Sequence, residues 1–252
     1  AHAQIIGKIK VLNACRLILM TILMGYDSRW AKLSWELPVN LKIELENGIR
    51  LAWPTPLFSR KFDDTEDMNH RLIEIIHEKE KKDSGNAKSV TGGWHSADDV
   101  HSWDYPEIHR LIGFITEAVT EMTKISTGLE FDQFDADTTF IAWANILRNN
   151  GYHKMHTHPG SAWSGVYYIQ TGSEDASPEE PDDAGKIEFF DPRMAVEMVP
   201  VPGNPFGQRL TFPPEAGRIY CFPAWLRHMV NPYQGSSERI TIAYNVRIEN
   251  FD

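Results

Sequence analysis

From about residue 138 onward the chain is built of short β-prone runs cut apart by turn residues, and this feature restricts its architecture most. The runs are 138–148 (TTFIAWANILR), 163–170 (WSGVYYIQ), 186–190 (KIEFF), 209–212, 217–222 (GRIYCF) and 238–248 (ERITIAYNVRI). Their β-branched and aromatic residues suit a pleated, half-buried surface. Several such runs at short spacing predict a sandwich or barrel. Two amphipathic patterns precede them. In 64–81, Met68, Leu72, Ile75 and Ile76 form one stripe behind Asp64 or Thr65 as a cap. In 106–126, Ile108, Leu111, Ile112, Ile115, Val119, Met122 and Ile125 share a face, and Gly128 is a stop signal. Helices followed by strands predict a mainly β fold with helices buttressing one side. The prolines of Trp53-Pro54-Thr55-Pro56 make an extended entry segment. Residues 86–104 read as a polar loop, and 171–185 as an acidic, apolar-poor mobile one.

Composition narrows the function. The net charge is −10, from 25 basic and 35 acidic residues, which argues against nucleic acid or an anionic membrane as partner. Two cysteines, Cys15 and Cys221, are too few for a disulfide framework, so a cytoplasmic location is expected. The apolar run 11–24 is broken by Asn13 and Arg16 and falls short of the ~20 residues a membrane-spanning helix needs. Residues 1–48 are expected to be an extension, helical or foreign to the fold, ahead of one domain at 49–252.

The chemistry-bearing residues lie inside the β-rich part. Gly151-Tyr-His-Lys-Met-His-Thr-His-Pro-Gly160 contains His153, His156 and His158. On a strand, positions i and i+2 share a face, so His156 and His158 can converge on one ion. His228 ends the run Phe222-Pro-Ala-Trp-Leu-Arg-His and supplies a third imidazole. Imidazole suits Fe, Zn, Cu and Ni alike, so residue type does not choose the metal. On a strand from 238, Arg239, Thr241, Ala243 and Asn245 face one way, and Ile240, Ile242, Tyr244 and Val246 face the other. The second set is core. The first is small and polar, as the lining of a ligand cavity would be. An Arg aimed into it needs an anion, and its planar fork suits a carboxylate. The plain alternative is a surface Arg paired with Glu188 or Asp191. Of Ser164, Tyr167 and Tyr168, whichever tyrosine faces inward can bond a ligand, and Asn145 can line the same cavity. His153 is expected in a turn, His95 and His101 in a solvated loop, and Trp143, Trp163 and Trp225 in packing.

The order G-x-x-x-x-H-x-H-P, SGVYYI, G-K-I-x-F-x-D-P-R, P-x-x-G-x-I-x-x-F-P-x-W-L-x-H-x-V-x-P, R-I-T-I-A-Y-N resembles the iron(II)/2-oxoglutarate-dependent oxygenases, most closely a branch in marine bacteria and their phages. The resemblance covers about 50–252 and implies a double-stranded β-helix, the cupin-like jelly roll. It implies His156 and His228 as iron ligands and Arg239 as the clamp on the far carboxylate of 2-oxoglutarate. It implies Fe(II), 2-oxoglutarate and O2 as the working set, with hydroxylation of a small-molecule or peptide substrate that the sequence does not identify. A homodimer is compatible with it. One departure stands out. The superfamily commonly has Asp or Glu two residues after the first His, where this chain has His158. His158 is then the third ligand, or Glu188 or Asp191 replaces it, or solvent fills the gap. The rival expectations are a three-His cupin-like dioxygenase independent of 2-oxoglutarate, and a metal-binding jelly roll with no activity.

Overall fold

The computed structural model describes residues 54–86, 88–128, 137–172, 183–196, 198 and 209–249. The expected extension at 1–48 and most of the acidic loop (173–182) lie outside the described residues. The chain runs β1 (Phe58–Lys61), α1 (Glu66–Glu80), β2 (Val90–His95), a 3-10 turn (Val100–Ser102), α2 (Pro106–Thr127), β3 (Asp137–His156), β4 (Trp163–Gln170), β5 (Ile187–Phe190), β6 (Arg209–Phe212), β7 (Arg218–Pro223), β8 (His228–Val230) and β9 (Arg239–Glu249). The strands join antiparallel in the order β1-β7-β4-β9-β3-β8-β5-β6, with β2 on β3. This is the curled sheet of a double-stranded β-helix.

β3 is the hinge of the architecture. Its first half, Asp137–Leu147, pairs with β9, and its last residues, His153 and His156, pair with β8. One strand thus belongs to both walls. Sequence reading ends this strand at Arg148, ahead of Asn149-Asn150-Gly151. The chain instead absorbs these residues as an irregularity, with Asn150 at φ 65° and its N–H bonded to Tyr233 O at 2.6 Å.

The helices cover the outer face of the larger wall. α1 buries Met68, Leu72, Ile75 and Ile76, and α2 buries Ile108, Leu111, Ile115, Val119 and Met122. These pack with Tyr167, Ile219, Cys221, Ile240, Ile242, Tyr244 and Val246 in one apolar cluster. Tyr167 donates to Asn69 Oδ1 at 2.8 Å, and Trp163 Nε1 donates to Thr123 Oγ1 at 3.1 Å, so the polar atoms trapped there are satisfied. Gly128 ends α2 in the left-handed conformation at φ 71°, its N–H on Lys124 O. Thr65 precedes α1 without a side-chain capping bond. Arg148 spans Glu80 of α1 (2.8 Å) and Glu238 ahead of β9 (2.7 Å), tying helix to sheet. A second cluster fills the space between the walls: Leu147, Val166, Tyr168, Ile187, Phe189, Tyr220, Phe222, Leu226 and Val230.

Two stretches differ from expectation. Residues 90–95, read as polar loop, form β2, because their backbone completes the edge of β3 and buries Trp94 and His95. Phe58, the end of the extended entry segment, and residues 59–61, for which no element was expected, pair with β7.

Candidate metal centre

The polar face foreseen on β9 lines an internal cavity. Arg239, Thr241 and Ala243 form one wall, Ser164, Val166 and Tyr168 of β4 another, and Trp143, Asn145 and His153 of β3 a third. His156, His158 and His228 stand at the same cavity. Tyr168 is the inward tyrosine; Tyr167 faces the helices.

Three local devices bring the histidines together. His156 lies directly opposite His228 in the β3–β8 pair. Cβ atoms of such pairs stand about 4.5–5.5 Å apart. The register shifts between His153 and His156, a bulge that inserts one residue into β3. Trp143, Asn145 and His153 already face the cavity, so strict alternation would turn His156 outward; the bulge re-aims it inward. His158 lies beyond the end of β3, so strand alternation does not place it. Its N–H donates to Ala224 O at 2.9 Å, which fastens the His158 loop to the turn that delivers His228.

Ligand nitrogens of the three rings all lie within 4.8 Å of one another. His158 Nε2 and His228 Nε2 are 3.3 Å apart. Two imidazoles on one ion at about 2.1 Å stand roughly 3.0–3.4 Å apart for angles of 90–109°. The donor set therefore fits a divalent transition metal without rearrangement of these two rings.

The outer nitrogens fix the tautomers. His156 Nδ1 meets Lys154 O at 2.6 Å and His228 Nδ1 meets Leu226 O at 2.9 Å. A carbonyl only accepts, so each Nδ1 carries the proton and each Nε2 presents a lone pair. His158 differs: its Nδ1 faces Asn245 Nδ2 at 3.1 Å, while Asn245 Oδ1 is buried without a partner. In that arrangement His158 carries its proton on Nε2 and points it at His228. Turning the Asn245 amide over would let Oδ1 accept from Nδ1–H and free Nε2 for an ion. Burial, then the neighbouring His156, holds His228 and His158 down at about 3, so both are neutral across the physiological range. Burial also lowers His156.

Arg239 is 2% exposed and stacks its guanidinium over the Tyr168 ring, 5.0 Å to the centroid. Its Nη2 bonds Tyr168 Oη at 3.3 Å, and its Nε has no partner. Among the described residues no carboxylate pairs with it. A buried cation left so costs several kcal/mol, and an anionic ligand in the cavity would offset that. Neither Glu188 nor Asp191 takes this role. Glu188 lies opposite Met229, on the face of β5 away from Phe189 and His228, and holds Asn231 and Arg209. Asp191 is bound by Arg193.

Sequence reasoning missed His153. It sits in β3, not in a turn, and is buried at the cavity wall near Ser89 Oγ (3.4 Å). Burial first, and the Arg239 charge second, hold it neutral. His95 is likewise buried, not solvated, and stacks on Trp143 at 5.5 Å. His101 is half-buried against Phe140. Trp143 and Trp163 pack as expected, whereas Trp225 is 55% exposed. β2 has a loop's composition, so nothing local signalled the burial of His95, and the irregularity at Asn150 that carries β3 on to His153 left no signal either.

Comparison with known proteins agrees with this fold. Residues 141–245 match the family model described as "Putative 2OG-Fe(II) oxygenase". A prolyl-4-hydroxylase of Pseudomonas putida shares the fold at TM-score 0.53 and 14% identity, over 77% of this chain and 92% of that one. The non-haem alpha-ketoglutarate-dependent carbocyclase SnoK of nogalamycin biosynthesis gives 0.53 at 10% identity, over 77% and 80%. HygX of Streptomyces hygroscopicus, solved with nickel and 2-oxoglutarate, gives 0.50 at 7% identity, over 77% and 83%. No curated protein sequence matches the chain.

Proposed function

We propose that this chain, an oxidoreductase of the 2OG-Fe(II) oxygenase superfamily, holds Fe(II) through His156, His158 and His228 and anchors 2-oxoglutarate on Arg239. The observation that carries this reading is one cavity with three converging imidazoles at its edge and a buried, incompletely partnered guanidinium in its wall. The overall reaction is that of the superfamily: a substrate C–H bond, O2 and 2-oxoglutarate become C–OH, succinate and CO2. Fe(II) bound there supplies the redox chemistry by which O2 and the keto acid oxidise the substrate.

The chain's own residues do the positioning. The Arg239 fork receives the far carboxylate, and Tyr168 Oη, already bonded to Arg239, is placed to share that anion. Thr241, Ser164 and Asn145 offer further polar contacts along the same walls, and Asn145 Oδ1 lacks a partner. Neutral His153 adds a hydrogen-bonding ring without adding charge. Asn245, with its amide turned so that Oδ1 accepts from His158 Nδ1–H, would hold the tautomer that frees Nε2. Val166, Ile187, Phe222 and Val230 exclude water from the remaining cavity surface.

The three-imidazole set also supports a cupin-like dioxygenase that needs no keto acid. Arg239 separates the two readings. With Fe(II), ascorbate and 2-oxoglutarate, the wild type should form succinate, and Arg239→Met should raise the 2-oxoglutarate KM at least thirtyfold while the Mn(II) Kd stays within threefold. Turnover of O2 that is indifferent to 2-oxoglutarate and to Arg239→Met would favour the cupin-like reading and defeat this one.

A further inference from the structure

A separate cavity of about 840 Å³ opens beside the candidate metal centre. Its walls run in chain with the histidines: Thr157 sits between His156 and His158, and Trp225 and Arg227 lie on the turn into His228. The other wall comes from the segment after β5 and from Arg209 of β6. None of its lining residues is needed to hold an ion or to pack the core.

Its charges can be balanced one by one. Arg193 grips Asp191 through Nε and Nη2. Arg209 Nη1 lies 3.1 Å from Glu188 Oε1. Arg227 is exposed and makes no ion pair among the described residues. Among the described residues one positive charge is therefore in surplus on this wall, enough for one anionic group and not for a polyanion. Apolar surface surrounds it: Trp225 is 55% and Met194 94% exposed. Large side chains left open at the mouth of a cavity gain from being covered by an apolar ligand, because that removes their surface from water.

We propose that this cavity is the substrate pocket and that it selects a molecule with a single anionic group on an apolar body, the anion on Arg227 and the body against Trp225 and Met194. Its role as substrate pocket rests on the oxygenase reading above; its preference for a single anion does not.

Two measurements test it. In the first, anilinonaphthalene sulfonate is bound to the full chain and displaced by decanoate, decanol or decylamine. Decanoate should displace at least tenfold more strongly than decanol, with decylamine weakest. Arg227→Glu should abolish that order, and Trp225→Ala should weaken decanoate and decanol alike, with circular dichroism reporting the fold of each variant. Equal displacement by all three head groups, or an Arg227→Glu protein that still prefers decanoate, would overturn the proposal. In the second, proton relaxation of decanoate is followed with Mn(II)-loaded and Zn(II)-loaded protein. Strong broadening by Mn(II) alone places the ligand beside the metal as required. Decanoate bound with the right preference but unaffected by bound Mn(II) would refute the substrate role. Failure of Mn(II) to bind at all would defeat the oxygenase site, and the substrate role with it, while leaving the anion preference to the first measurement.

Discussion

His228 makes the pH dependence of stability calculable. It is 4% exposed, and burial holds it at about 3, against 6.5 for an unhindered imidazole. The unfolded chain thus binds a proton that the folded chain refuses, so acid favours unfolding. The stability this ring contributes is whole above about pH 6.5 and is lost as pH falls from there toward the folded value near 3. At pH 5 the unfolded ring is almost fully protonated and the folded one almost neutral. The loss relative to neutral pH is 1.5 pH units below the reference value, or about 2 kcal/mol. His158, also held at about 3 but only half-buried, adds in the same direction by less. The assay is urea unfolding of the metal-free protein at pH 7.5 and pH 5, for wild type and for His228→Phe, a change toward its neighbours Phe189 and Phe222. The wild-type midpoint should drop by roughly 1 M or more for slopes near 2 kcal/mol/M. The variant's drop should be smaller by about 2 kcal/mol. A variant whose pH loss equals that of wild type would show that His228 is not neutral in the fold, and the lone-pair argument for its Nε2 would fail with it.

Other consequences follow from single contacts. His158→Ala should weaken Mn(II) binding at least thirtyfold by calorimetry, whereas His158→Asp should retain it; equal losses in both would remove His158 from the ligand set. Tyr168→Phe deletes the hydroxyl that meets Arg239 and should raise the Kd for 2-oxoglutarate about three- to tenfold, the weight of one hydrogen bond of about 1 kcal/mol. Gly165→Ala would drive a Cβ into the Tyr244 ring and the Tyr220 carbonyl, so chemical denaturation should register a loss of about 2 kcal/mol or more. Asn69→Ala removes one of the two side-chain partners of the buried Tyr167 hydroxyl, leaving Thr65, and should cost about 0.5–1.5 kcal/mol in the same assay.

The sequence made the periodic elements readable because each carries its own signal. α2 was expected at 106–126 and spans Pro106–Thr127; β4 was expected at 163–170 and spans Trp163–Gln170. On β9, Arg239, Thr241 and Ala243 line the cavity and Ile240, Ile242, Tyr244 and Val246 enter the core, while Asn245, expected on the cavity face, meets His158 instead of lining the cavity. What escaped depends on partners elsewhere in the chain. β2 has the composition of a loop and becomes a strand only because β3 offers an edge. The bulge before His156 has no local mark, since Lys154 and Met155 are unremarkable there and the extra residue is defined only by the register of β8. His158 was aligned with His156 by strand periodicity, yet it reaches the cluster through a backbone bond to Ala224. Asn245 was foreseen on the cavity face; its contact with His158 rests on two segments that meet only in the fold.

The double membership of β3 has a further effect. Arg239 is paired with Leu147, and His228 with His156, on one unbroken strand. The span between the buried guanidinium and the three imidazoles is thus gauged by a single stretch of backbone, like two marks cut on one rod. The outer cavity is assembled from connecting segments that take no part in that gauge. Under the proposed function, such a division would let substrate choice drift through the loops while the fit to a five-carbon diacid stayed calibrated.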